Sequence, residues 1–311
     1  MIPSRPPRRF EFHLSYRCGE RCAFCSESGR MERWRSAPPT AAEIARILVA
    51  YRRKGFEHVT FTGGEPTSAA LLPRALAAAR RLGLRTYVTT NGGLFAYESY
   101  ARAVLPLLDE LCLSVHGADA ATHDASARTP GSFERAVRAL ENVRRHGAGV
   151  FVLTNSVVTR LNWDALEETM RFLLGRREVR HCLVSNVAPE GRAARAYARL
   201  AVPLTAWRER VPRLAALFEG TGVALRFFGL PLCVLGGRWR LSNDAHFSPR
   251  VRIERRSIGG APGLTAIPGL DASHLRRRAA ACARCAARSA CPGVFGRYLD
   301  IHGAAGLEAM P

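Results

Sequence analysis

Tyr16-Arg17-Cys18-Gly19-Glu20-Arg21-Cys22-Ala23-Phe24-Cys25 places three cysteines within eight residues, at the spacing Cys-x3-Cys-x2-Cys. Three thiolates are one fewer than the four that close a [4Fe–4S] cluster, so a cluster on this set leaves one iron open to a ligand that is not protein. A structural zinc site would be closed by a further Cys or His nearby. The next residues, Ser26, Glu27, Ser28 and Gly29, supply neither. A chance group of buried or zinc-binding cysteines is the alternative.

Around this stretch, short β-type runs alternate with longer amphipathic runs. Residues 10–15, 58–62, 85–90, 111–115, 150–157 and 182–187 read as strands. Residues 41–53, 69–82, 97–108, 132–146 and 163–174 read as the helices between them, with 205–219 following the last strand. Six β/α units in sequence predict an α/β fold whose parallel sheet is covered by helices. Right-handed crossovers would roll it into a barrel or part of one. Side-chain alternation puts Phe10, Phe12 and Leu14 opposite Glu11, His13 and Ser15, and Leu111, Leu113 and Val115 opposite Cys112, Ser114 and His116. The apolar sets should meet helices, leaving a polar lumen that is costly unless it holds a ligand. Residues 224–229 offer a further strand. The Gly-, Pro- and Arg-rich run from about 236 to 269 predicts loops or a short hairpin. The division expected is a barrel over 1–219 and a small Cys-rich module over 220–311.

A chain of 311 residues with no run of eighteen apolar residues can bury a large core and does not read as membrane-spanning. The N-terminus lacks a secretory apolar segment. Nine cysteines, six of them closely spaced, fit metal or Fe–S ligation in a reducing cytoplasm. The net charge of +20 would suit an anionic partner, but Lys54 is the only lysine and the arginines are scattered among alanines. No basic stripe interleaved with aromatics marks a nucleic-acid surface, so nucleic acid is not the expected partner.

Two further motifs matter. Thr62-Gly63-Gly64-Glu65-Pro66 ends the second strand, where α/β barrels place active-site groups. The glycines permit close backbone approach, Glu65 offers an acceptor for an ammonium group, and Pro66 stiffens the turn. Cys282-x2-Cys285-x5-Cys291 lies near the C-terminus, with Cys233 upstream. A four-thiolate zinc site and an Fe–S cluster are both compatible with this set.

With Phe24 before the third cysteine and the Gly-Gly-Glu-Pro turn one β/α unit later, the chain resembles the radical S-adenosylmethionine (radical SAM) superfamily. The resemblance implies a partial (β/α)6 TIM-like barrel. It also implies a [4Fe–4S] cluster on Cys18, Cys22 and Cys25 whose open iron chelates SAM. The reduced cluster would cleave SAM to methionine and a 5′-deoxyadenosyl radical, which takes hydrogen from a substrate C–H bond. Gly63, Gly64, Glu65 and Pro66 would contact the SAM amino group. Ser114 and Arg128 would hold its carboxylate, although three residues separate Arg128 from His123-Asp124, one more than the family leads one to expect. Asn155 corresponds to the ribose contact, Asn91 or Thr89 closes the third strand near ligand, and Ser185 or Asn186 would lie near the adenosine.

The C-terminal cysteines resemble the SPASM segment of radical SAM maturases in its shortened "twitch" form. With Cys233 supplying the fourth thiolate to Cys282, Cys285 and Cys291, they imply one auxiliary [4Fe–4S] cluster. Cys112 reads as a buried filler or a hydrogen-atom donor, Cys182 as filler. The expected enzyme modifies a ribosomally made peptide, with small-molecule tailoring as the alternative and a zinc-stabilised RNA-binding protein as a distant third. An electron donor such as flavodoxin or ferredoxin is implied. Only nine residues precede the first strand, so a leader-binding function would fall to a separate protein.

Overall fold

The computed structural model describes residues 8–246, 250–270 and 273–311. Along the first half run β1 (Arg9–Ser15), α1 (Ser28–Trp34), α2 (Ala41–Arg53), β2 (His58–Gly63), α3 (Leu72–Arg81), β3 (Arg85–Thr90), α4 (Glu98–Val104) and β4 (Glu110–Ser114). Then come α5 (Ala120–Ala127), α6 (Ser132–His146), β5 (Phe151–Val158), α7 (Leu166–Leu174), β6 (Val179–Asn186), α8 (Gly191–Leu200), α9 (Leu204–Phe218) and β7 (Ala224–Phe228). The chain closes with α10 (Leu232–Leu235), β8 (Arg250–Ile258), β9 (Ala261–Leu270), β10 (Arg276–Arg277), β11 (Val294–Phe295) and α11 (Gly296–His302).

One nine-stranded sheet runs in the order β7-β6-β5-β4-β3-β2-β1-β8-β9, parallel except for β9. Phe10, Phe12 and Leu14 of β1, Val59 and Phe61 of β2, and Leu111 and Leu113 of β4 are buried in the helix-side core, as alternation predicts. The opposite face curls around a single cavity. Glu11, Thr62, Thr89, Ser114, Asn155, Ser185, Phe228 and Arg250, one from each of β1 to β8 in turn, all line it. A flat sheet could not bring eight consecutive strands to one cavity, so the architecture is an α/β partial barrel.

The sheet extends beyond the six expected strands, because β7 and the β8–β9 hairpin both join it. Of the two readings of the run from 236 to 269, loops or a short hairpin, the hairpin is the one found, with longer strands than expected. After two 3-10 turns it forms a hairpin of nine- and ten-residue strands, and residues 247–249 lie outside the described residues. Two features hid its length. Charged side chains (Arg252, Glu254, Arg255) occupy buried strand positions. Pro262 and Pro268 interrupt β9, which tolerates them because it is an edge strand. The hairpin is fixed by Arg255, which is paired bidentately with Glu43 at 2.8 and 3.0 Å and donates to the carbonyls of Ala37 and Pro38. Glu43 also completes a capping box with Thr40 at the start of α2.

Three short helices, α1, α5 and α8, were not legible in the periodicity. All three pack around the cysteine loop. Val294, Phe295 and Tyr298 near the C-terminus belong to the same hydrophobic core as the barrel strands. No helix among the described residues is long and apolar enough to cross a membrane.

Candidate active site

The cysteine loop leaves β1 at the mouth of the barrel and is held from three sides by backbone. Gly64 and Glu65 donate to the carbonyls of Ser15 and Arg17 at 2.8 and 2.7 Å. Arg21 and Ala23 donate to Ala127 and Ser126 at the end of α5. Arg192, at the start of α8, donates its amide to Cys25 O at 2.9 Å and its guanidinium to Cys22 O at 2.6 Å. Gly63 has φ of +121°, and a Cβ on it would lie 2.3 Å from Ser15 O; one on Gly64 would lie 2.5 Å from Arg17 O. The two glycines are thus required first by contact with the stem of the cysteine loop. Gly191 is constrained the same way, its notional Cβ being 2.5 Å from the carbonyls of Cys25 and Ser26.

Cys18, Cys22 and Cys25 face the cavity, whose volume is about 450 Å³. Burial pushes the Cys18 thiol up to about 12 and raises the other two as well. Such thiols become thiolates when a metal displaces their protons. The Glu20 amide donates to Cys18 Sγ at 3.4 Å and Asn91 Nδ2 approaches it at 3.8 Å, donors that would favour sulfur-borne negative charge. Among the described residues no three His, Cys, Asp or Glu side chains group tightly enough for a single metal ion. Three separated thiols around one cavity are a donor set for a larger cluster. The donors present fit a [4Fe–4S] group.

Glu65 is buried and accepts from Thr67 N, Thr67 Oγ1 and Thr90 Oγ1 on Oε1, and from Asn91 N on Oε2. It therefore ties the end of β2 to the end of β3. Only Oε2 keeps acceptor capacity toward the cavity. Burial nonetheless raises its carboxyl above the ordinary range. Pro66 begins the 3-10 turn that follows. Asn91 also accepts from Gly93 N, and Asn155 Oδ1 accepts from Ser185 Oγ at 2.7 Å. Ser114 and Asn186 line the same cavity.

Arg128 is not brought there. It is exposed, caps α5 in the left-handed conformation (φ 51°), and does not line the cavity. The neighbouring Asp124 accepts from Gly131 N, Ser132 Oγ and Phe133 N, which caps α6. This segment acts as a bracket whose carbonyls hold the cysteine loop. Cys112 and Cys182 are buried and do not line the cavity.

Residues that sequence reasoning missed include Glu20, buried inside the loop and pushed up to about 7 by desolvation. Others are Arg192 and the lumen-facing Arg250 and Arg252 of β8. His116, foreseen only as lumen-facing, packs edge-on against Phe24 at 4.7 Å and is held well below its ordinary pKa by burial, hence neutral. The arginines carried no signal in a chain so rich in arginine.

A second, small cavity brings together Cys233, Cys282, Cys285 and Cys291. Amides point at their sulfurs. Leu232 N and Gly293 N donate to Cys291 Sγ at 3.4 Å each, and Met310 N donates to Cys285 Sγ at 3.3 Å. Four thiols with amide donors fit a fully ligated cluster.

The sequence profile of the radical SAM superfamily matches residues 12–173. A curated relative, an AdoMet-dependent heme synthase of Nitratidesulfovibrio vulgaris, is 29% identical over 154 residues, covering 50% of this chain and 41% of the relative. An S-adenosylmethionine-dependent nucleotide dehydratase of Lacinutrix mariniflava is 27% identical over 163 residues, 49% of this chain and 33% of the relative. The matches span less than half the length of these relatives. Among solved structures, Streptococcus suis SuiB bound to S-adenosylmethionine superposes with a TM-score of 0.64 at 15% identity, covering 98% of this chain and 76% of that one. Native anSMEcpe with bound AdoMet and a peptide gives 0.58 at 17% identity, covering 71% of this chain and 64% of that one. These two likenesses establish the fold.

Proposed function

The chain belongs to the radical SAM superfamily, and we propose that it uses Cys18, Cys22 and Cys25 to hold the cluster that binds SAM and modifies a peptide at an unactivated C–H bond. The observation that carries this is the convergence of the three thiols, the Gly63–Pro66 turn and a polar lumen on one cavity. Bound together, the cluster and SAM supply a one-electron cleavage that yields a hydrogen-abstracting radical. The protein supplies the rest. Gly63 and Gly64 let the turn press on the loop, and Glu65 Oε2 keeps an acceptor for the SAM ammonium. Ser114, Asn91 and Asn155 line the wall expected to take the remainder of the nucleoside. The neutral His116 and Phe24 form a wall that excludes water.

Cys233, Cys282, Cys285 and Cys291 are proposed to hold an auxiliary [4Fe–4S] cluster. With all four ligands from protein, its role would be electron transfer or structure. An external one-electron donor such as flavodoxin or ferredoxin would serve the first cluster.

The peptide reading draws on neighbours solved with peptides, SuiB with the precursor peptide SuiA and anSMEcpe with Cp18Cys. Small-molecule tailoring is the second reading, favoured by the relatives named heme synthase and nucleotide dehydratase. Anaerobic reconstitution tests the scheme. About eight irons without zinc are expected, with 5′-deoxyadenosine formed under reduction and its yield raised by short peptides. Zinc in place of iron would defeat the cluster assignment, and indifference to peptides would favour the second reading.

A further inference from the structure

The wall that β8 adds to the lumen is not explained by anything above. β8 pairs in parallel with β1, setting Arg252 beside Glu11. Arg250 and Arg252 line the cavity, and Glu254 follows them on the same face of the strand. Arg250 pairs with Glu11 at 2.5 Å. Glu254, almost fully buried, is shared by Arg30 at 2.9 Å, Arg252 at 2.7 Å and Arg256 at 2.8 Å, while Arg30 also pairs with Glu27. Four guanidinium groups thus meet three carboxylates. His13, between them, is kept neutral by burial.

Arg252 is the least satisfied member. The residue is 8% exposed. Its Nε lies near Glu254 Oε2 without the alignment of a hydrogen bond, and its terminal nitrogens have no hydrogen-bond partner among the described residues. Yet it lines the cavity that receives the three cysteines. A buried guanidinium with unused donors is costly unless an anion completes it. A planar fork of this kind matches a carboxylate in two-point contact.

We propose that Arg252, supported by Arg250, is an anion site that reads a carboxylate of the substrate, so that the substrate is an acidic peptide or one presenting its C-terminal carboxylate. This rests on the peptide reading above and adds the charge class and the residue that selects it.

Three probes test it by calorimetry on the reconstituted full chain, with and without SAM. N-acetyl-glutamate N-methylamide carries only a side-chain carboxylate, N-acetyl-glutamine only a C-terminal one, and N-acetyl-glutamine N-methylamide neither. One carboxylate probe should bind at least about tenfold tighter than the neutral probe, and which one does so identifies the carboxylate read. Arg252→Gln should abolish that preference and Arg252→Lys restore part of it. Arg256→Gln, on the solvent side of Glu254, should leave it intact. Equal binding of all three probes would overturn the proposal, as would a preference that survives Arg252→Gln. So would a loss of SAM affinity in Arg252→Gln as large as the loss of probe affinity, since the guanidinium would then serve SAM. The titrations without SAM read the anion preference even if the protein fails to bind SAM, an outcome that would instead count against the proposed function.

Discussion

Asp244 and Arg276 form an ion pair at 3.1 Å with side chains 0% and 1% exposed. The pair joins the segment leading to the C-terminal cysteines to the end of β7. Asp244 also accepts from Gly229 N, and Arg276 donates to Gly293 O and stacks 4.3 Å over Phe295. Burial raises the Asp244 carboxyl above its ordinary range even with the guanidinium beside it. Desolvation is therefore not fully offset, and the pair should act as a positioning device more than as a net source of stability. Arg276→Met strands a buried carboxylate and should cost about 3–5 kcal/mol, as should Asp244→Asn, which strands the cation. At about 2 °C per kcal/mol for a chain of this size, each single variant should melt about 6–10 °C lower. Removing both charges leaves neither stranded, so Asp244→Asn/Arg276→Met should cost much less than the two singles together. The assay is thermal unfolding of the four proteins in a double-mutant cycle, with iron content measured alongside. The singles should also lose iron from the C-terminal set first. Single variants within about 1 kcal/mol of the parent, or a double variant as costly as the sum, would refute the reasoning.

Gly63→Ala should be poorly tolerated, because its Cβ would sit 2.3 Å from Ser15 O; lowered iron retention and a lower Tm are expected, and a fully stable, iron-loaded variant would contradict the packing role. Arg128→Gly should raise stability by about 1 kcal/mol by relieving a left-handed arginine, with SAM affinity unchanged in titration. Glu43, held down to about 2 by Arg255 and Thr40, has a folded pKa below its unfolded value. Its contribution, cut by solvent screening to about 1 kcal/mol, is full at neutral pH and should be lost as pH falls from about 5 to about 2; chemical unfolding of Glu43→Gln across that range should show a flatter pH dependence than the parent.

Much of the barrel was legible because period-2 alternation in β1, β2 and β4 and the amphipathic runs of α2 and α6 agree with the tertiary environment. The length of hairpin β8–β9 and its place in the barrel sheet were not, since its buried positions are arginine and glutamate that pair with residues more than 200 positions away, such as Glu11 and Glu43. No local pattern encodes such a pairing. The cysteine sets announced themselves by spacing, and the placement of Cys233 beside Cys282, Cys285 and Cys291 followed from counting thiolates. Arg128 shows the opposite case. Read as a cavity arginine despite the extra residue after His123-Asp124, it is an exposed, left-handed cap of α5 in the structure. Arg192 and Arg252 were invisible for want of contrast against the chain's other arginines.

The most direct test of the central claim is 5′-deoxyadenosine formation by the anaerobically reconstituted protein and its Cys18→Ala/Cys22→Ala/Cys25→Ala variant, with iron counted in both. The parent should cleave SAM under reduction. The variant should keep roughly half the iron, that of the C-terminal set, and form no 5′-deoxyadenosine. Continued SAM cleavage by the triple variant would contradict the account.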